Sequence, residues 1–265
     1  MDLGLANARV LVTGGGSNIG RGIVHGFAAE GARVVIADVD ADQAAKVRAE
    51  ALERGAAQAE LAIGDLTEDG AGERAVAAVT DRWGGIDVLV NNAGWSVPGF
   101  LAEDTDRSRW QRLVEVNLYT AIACTQAAIP PMREAGVGAI VFIASDAAFG
   151  QIRQGIYGAT KAALIALART TAREHGRHGI RANVICPGLV LPNGPDAVGS
   201  DSLWSVGQDN VFNEKQIDYL KKDIPLRRLT TAEDIANTVT WISSDRAARQ
   251  ITGQVLSVSG GYTMP

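Results

Sequence analysis

Tyr157 and Lys161 stand four residues apart in the run YGATK, inside a stretch whose composition predicts a helix over 157–175. That spacing places both side chains on one helix face, a turn apart. An ammonium beside a phenol favours the phenolate, so the pair is expected to draw the phenol down from a pKa of about 10 towards the working pH. A tyrosine tuned this way can exchange a proton with a substrate oxygen. Taken alone, such a pair is as readily an exposed couple on a helix surface, and the case for chemistry depends on what converges around it.

A second cluster is the run TGGGSNIG at 13–20, between an apolar strand-like segment and a predicted helix. Backbone N–H groups at such a turn, with the helix dipole behind them, can receive a pyrophosphate, and Gly14, Ser17, Asn18, Ile19 and Gly20 are the candidate contacts. Asn18 is the non-glycine residue type best suited to a left-handed backbone, and its amide can donate to a phosphate. Eighteen residues beyond Gly20, Asp38 ends the run VVIAD. A carboxylate there can accept both hydroxyls of an adenosine ribose and would repel a 2′-phosphate, which favours NAD over NADP. The competing reading of Asp38 is a helix N-cap.

These residues need a scaffold that brings strand ends together. Apolar runs at 10–13, 34–38, 59–65, 86–94, 139–145, 180–188 and 253–261 alternate with helical stretches, among them 108–132, expected to be interrupted near Pro130 and Pro131, and 231–243. This alternation predicts an α/β chain, a Rossmann-like doubly wound parallel sheet of about seven strands in one domain over 1–265, with sites at the carboxyl ends of the strands. Residues 189–224 break the rhythm with turn formers, Trp204 and Phe212, and an insertion of that length is expected to act as a lid.

The bulk of the sequence narrows the partners. The chain has 265 residues, 46% hydrophobic, with a formal charge of -5, which argues against a nucleic-acid surface. No apolar run approaches the length of a membrane span, and the amino terminus leaves no room for a signal peptide, so a cytoplasmic protein is expected. Cys124 and Cys186 each sit in an apolar run and are expected to be buried free thiols. No metal site is expected.

Together the TGxxxGxG-like turn, NNAG at 91–94, YGATK and ITGQVLSVSGG at 251–261 resemble the short-chain dehydrogenase/reductase family over essentially the whole chain. Within it, NNAGW, IASDAAFG and AREHGRHGI are most similar to 2-hydroxycyclohexanecarboxyl-CoA dehydrogenases and next to 3-oxoacyl-carrier-protein reductases. The resemblance implies an NAD-dependent oxidoreductase in which Ser145 holds the substrate oxygen, Tyr157 is acid or base, Lys161 binds ribose and tunes Tyr157, and Asn117 supports a proton-relaying water. It further implies that Asp65 and Leu66 meet adenine, that Asn91, Ala93 and Gly94 floor the cofactor, and that Pro187, Gly188 and Val190 pack on the nicotinamide. The sequence departs from the pattern at Asn18, at Pro192, where a Thr is usual, and in the Ser145-to-Tyr157 interval, one residue short. Helix faces around 117–128 and 159–168 match those that form subunit interfaces, implying a homotetramer, with a dimer as the fallback.

Trp95, Asp146, Phe149, Trp204 and Phe212 are the expected substrate walls. They favour a cyclic or aryl secondary alcohol, free or as its acyl-CoA thioester, with Lys215, Lys221 and Lys222 available to CoA phosphates. The alternatives are a fatty-acid-type 3-oxoacyl thioester reductase and, from a different class, a catalytically silent NAD-sensing protein. Retention of Ser145, Tyr157 and Lys161 weighs against the last.

Overall fold

The computed structural model describes residues 2–194, 197–199, 202 and 213–265. Its strands are β1 (Arg9–Thr13), β2 (Arg33–Asp38), β3 (Gln58–Ile63), β4 (Val88–Asn91), β5 (Gly138–Ile143), β6 (Ile180–Pro187) and β7 (Val255–Val258). All pair in parallel in one sheet of order β3-β2-β1-β4-β5-β6-β7. The order reverses between β1 and β4, where Leu11 lies opposite Leu89, and that switch point opens a crevice at the carboxyl ends of the strands.

Parallel strands are buried on both faces, which is why the apolar runs are nearly continuous. Alternate residues supply two cores. Val10, Val12, Val34, Ile36, Val88 and Val90 pack beneath α1 (Asn18–Ala29), α2 (Ala41–Glu53) and α8 (Ala232–Ser243). Leu11, Val35, Leu89, Ile140 and Phe142 face the other way, against α3 (Ala71–Trp83), α5 (Thr120–Ala135) and α6 (Gly155–His175). Among the described residues the other α-helices are α4 (Arg107–Val114), α7 (Glu214–Asp223) and the short α9 (Asp245–Ala248).

The long helix before β5 breaks in a different place from the one its prolines suggest. Pro130 and Pro131 lie inside α5, which runs on to Ala135; Ala128 and Met132, fully buried on either side of them, hold the helix through the lost N–H groups. The interruption is instead a π-turn at Glu115–Tyr119, where Thr120 N–H donates to the Glu115 carbonyl five residues back. Asn117 sits in that turn.

Candidate active site

A cleft of about 1900 Å³ runs along the strand ends from Asp38 and Asp65 to Tyr157 and Lys161. At its nucleotide end, Asn18 has φ 38°, the left-handed backbone its residue type suits. A Cβ at Gly20 would stand 1.9 Å from the Gly14 carbonyl oxygen, so this turn closes only around glycine. Ser17, the N-cap of α1, spends no side-chain hydrogen bond on the helix and lines the cleft with its hydroxyl available. Asn18 Nδ2 donates to the Val190 carbonyl at 3.4 Å, tying the turn to the segment after β6.

Asp38 is not the cap of α2. That role falls to Asp40, whose Oδ1 accepts from Gln43 N–H at 3.0 Å. Asp38 accepts from Gly16 N–H at 2.8 Å and from Asp40 N–H at 3.0 Å, and burial raises its pKa above the usual carboxylate value. Its neighbours on the cleft wall include Asp40, Asp42 and Lys46, so a cation that the sequence reading overlooked stands at this end. Asp65 and Leu66 also line it, with Asp65 Oδ1 accepting from Thr67 N–H at 2.9 Å.

The two asparagines that close β4 divide their work. Asn91 is buried and turned into the core, where Nδ2 donates to Thr125 Oγ1 at 3.0 Å; contact with a cofactor is corrected to support from beneath. Asn92, which sequence reasoning missed, faces the cleft and clamps the glycine turn, donating to the Thr13 and Gly14 carbonyls at 2.9 Å each. The period-two alternation of β4 carried one residue further was the available signal. Ala93 and Gly94 complete the floor, and a Cβ at Gly94 would lie 3.0 Å from Asn117 Oδ1 and 3.1 Å from Lys161 Nζ.

Ser145 at the end of β5, Tyr157 and Lys161 on α6, and the Asn117 turn meet at the other end. Lys161 is 3% exposed, donates from Nζ to the Ile143 carbonyl at 2.9 Å and lies 5.7 Å from the Tyr157 ring centroid. Burial pushes its pKa down to about 8. Desolvation at this half-buried position pushes the Tyr157 phenol up to about 12, although a hydrogen bond with Ser145 works the other way. The expected lowering by Lys161 is therefore corrected: the charge of a buried lysine is itself disfavoured, and desolvation wins at the phenol.

The substrate walls are rearranged relative to expectation. Trp95 lines the cleft, with its backbone held by Asn117. Asp146 reaches the wall, but its side chain is 2% exposed and Oδ1 accepts from Ser257 Oγ at 3.4 Å; burial raises its pKa to about 6. Phe149 is a correction: the 3-10 turn Asp146–Phe149 directs it outward, 41% exposed and off the cleft wall, which Gln151, Ile152, Arg153 and Gln154 occupy instead. Trp204 and Phe212 lie outside the described residues. Pro187, Gly188 and Val190 line the cleft. On α7 it is Gln216 and Leu220 that face inward; Lys215, Lys221 and Lys222 are not on this wall, and Lys221 pairs with Asp218 at 3.6 Å. Cys124 and Cys186 are buried free thiols. Among the described residues no helix is long and apolar enough to cross a membrane, and no group of three or more His, Cys, Asp or Glu is arranged to hold a metal.

A parallel sheet with a glycine turn after β1, a carboxylate ending β2, and Ser, Tyr and Lys converging at the switch point defines a nucleotide-dependent oxidoreductase of the short-chain type. The chain belongs to the short-chain dehydrogenase/reductase family. The family model that matches residues 14–263 is described as enoyl-(acyl carrier protein) reductase. Similar proteins include 3-oxoacyl-[acyl-carrier-protein] reductase FabG of Staphylococcus epidermidis, 33% identical over 97% of this chain and 100% of that one. Another is (2S)-[(R)-hydroxy(phenyl)methyl]succinyl-CoA dehydrogenase subunit BbsD of Thauera aromatica, 35% identical over 99% of each. Among solved structures, a 7 alpha-hydroxysteroid dehydrogenase complexed with NADH and 7-oxo glycochenodeoxycholic acid superimposes with a TM-score of 0.87, at 32% identity, over 98% of this chain and 96% of that one.

Proposed function

We propose that this protein is an NAD-dependent dehydrogenase of a cyclic or aryl secondary alcohol, free or as an acyl-CoA thioester, interconverting it with the ketone. The convergence of Ser145, Tyr157 and Lys161 on one cleft whose far end carries Asp38 is the observation that supports this reading. The nicotinamide, when bound, supplies the hydride acceptor or donor. Gly14, Ser17, Asn18, Ile19 and Gly20 would hold its pyrophosphate and Asp38 its adenosine ribose, in the space that the glycines leave open. Ser145 holds the substrate oxygen, Tyr157 exchanges the proton with it, and Lys161 uses the N–H groups left beyond Ile143 to orient the cofactor ribose. Residues 189–224 serve as the lid.

The relatives give a second reading specific support: FabG of Staphylococcus epidermidis bears the name of a 3-oxoacyl thioester reductase. The working form is a cytoplasmic homotetramer of dihedral symmetry, built on the small-residue face that α6 leaves at Ala159 and Ala166. A panel of ring alcohols, linear hydroxy acids and 3-oxoacyl thioesters, each offered with NAD(H) and NADP(H) and read at the nicotinamide absorbance, tests the proposal. Turnover of ring alcohols with NAD supports it. Turnover restricted to 3-oxoacyl thioesters or to short linear hydroxy acids contradicts it.

A further inference from the structure

Two arginines line the cleft, Arg112 at the end of α4 and Arg153 just before α6. Each lies over an aromatic ring of one short segment after β4: Arg112 Cζ is 5.2 Å from the Trp95 ring centroid, and Arg153 Cζ is 5.4 Å from that of Phe100. Stacking fixes the plane of a guanidinium while leaving its N–H edges free to bind an oxyanion. Among the described residues neither has an ion pair within 4.0 Å, whereas Arg9, Arg21, Arg74, Arg82 and Arg228 each reach a carboxylate. Glu115 shares the wall and is paired with neither.

The segment beneath them is built. Trp95 is held by Asn117 through two hydrogen bonds of 2.8 Å, and Gly99 N–H donates to the Arg153 carbonyl at 2.9 Å beside a bridge between Gly99 and Gln154. Arg153 adopts φ 65°, a left-handed conformation where glycine is the default.

We propose that Arg112 and Arg153 form an anion subsite for a carboxylate carried by the substrate itself, remote from the carbinol carbon. The inference rests on the ring-alcohol reading above and narrows it to hydroxy acids whose acid group lies across the ring. Arg153 is four residues from Tyr157, so their Cα atoms are at most about 15 Å apart, the reach of a small molecule. The phosphates of a CoA ester stand at the end of the long pantetheine arm and fit this position less well.

The test compares a (1-hydroxyethyl)benzoate, its neutral amide and its CoA thioester in the wild type and in Arg112→Gln, Arg153→Gln and the double variant. The wild type is expected to favour the benzoate over the amide by at least roughly tenfold in kcat/KM, with the preference falling as salt rises. In the double variant that ratio should fall towards unity, through KM rather than kcat. Equal use of acid and amide by the wild type, or an acid preference that survives the double substitution, overturns the subsite while the ring-alcohol reading stands. Dependence on the arginines seen only with the thioester assigns them to phosphate and also overturns it. If none of the three is turned over while a linear 3-oxoacyl thioester is reduced, the ring-alcohol reading fails and the subsite with it.

Discussion

Asn117 is bonded to the backbone of Trp95 in both directions: Oδ1 accepts the Trp95 N–H and Nδ2 donates to the Trp95 carbonyl, each at 2.8 Å. One buried side chain thus stands in for a strand partner just past the end of β4, and it can reach there because the π-turn displaces it from the regular helix. Asn117→Ala leaves both backbone groups unpaired, at about 1–3 kcal/mol for each group that water does not reach. The variant should melt at a lower temperature and lose at least roughly tenfold in turnover, since Trp95 also walls the cleft. Thermal denaturation and steady-state kinetics together check this; an unchanged melting point contradicts it.

Gly94 leaves little room between Asn117 and Lys161. Alanine there would press on Asn117 Oδ1 and Lys161 Nζ at 3.0 and 3.1 Å while leaving the two cores untouched. Gly94→Ala should therefore keep the wild-type circular dichroism spectrum and drop kcat/KM by roughly tenfold or more. Activity within twofold of wild type would show that the side chains give way without consequence.

Cofactor choice follows from charge at the end of β2. A 2′-phosphate there meets Asp38, Asp40 and Asp42 against the ammonium of Lys46, with Lys161 at the opposite end of the cleft. NAD should be favoured over NADP by at least roughly tenfold in kcat/KM, about 1.4 kcal/mol. Asp38→Ala should narrow the gap, and Lys46→Ala in that background should widen it again. Equal use of the two cofactors by the wild type contradicts the assignment.

Asp146 gives the fold a pH dependence of known sign. Burial raises its carboxyl from the usual value of about 3.9 to about 6, so the ionised form is the disfavoured one in the folded chain. The contribution of Asp146 to stability is full below about pH 4, declines as pH rises through about 6 and stays lost above it, by about 2–3 kcal/mol at most. Asp146→Asn removes the buried charge and should raise the melting temperature at pH 8 but not at pH 4. A variant less stable than wild type at pH 8 would mean that the ionised carboxylate is the form the structure favours.

Much of this architecture is legible in the chain because parallel strands, buried on both faces, leave continuous apolar runs such as VVIAD and AIVFIA. Asp38, Tyr157 and Lys161 are legible because strand ends and helix spacing fix where they fall. The π-turn at Asn117 was not, since a single five-residue hydrogen bond leaves no periodic trace, and two prolines about three turns later drew attention to the wrong place. Which of Asn91 and Asn92 faces the cleft depends on strand phase, which two identical neighbours conceal. The outward turn of Phe149, and the stacking of Arg112 and Arg153 on rings far from Arg112 in sequence or adjacent only through a bridge, are tertiary facts. The phenol pKa failed for an energetic reason: the sequence shows the lysine but not the burial that outweighs it.

In the proposed function Tyr157 is the group that exchanges a proton with the substrate. Its most direct test is NADH formation from the best ring alcohol by wild type and Tyr157→Phe at matched, saturating NAD, with NAD affinity of both measured by calorimetry. Loss of the hydroxyl should lower kcat by roughly 10²–10⁴-fold, the range of general acid–base catalysis, with NAD affinity within about threefold of wild type. A Phe variant that retains more than about a tenth of wild-type kcat would contradict the central claim.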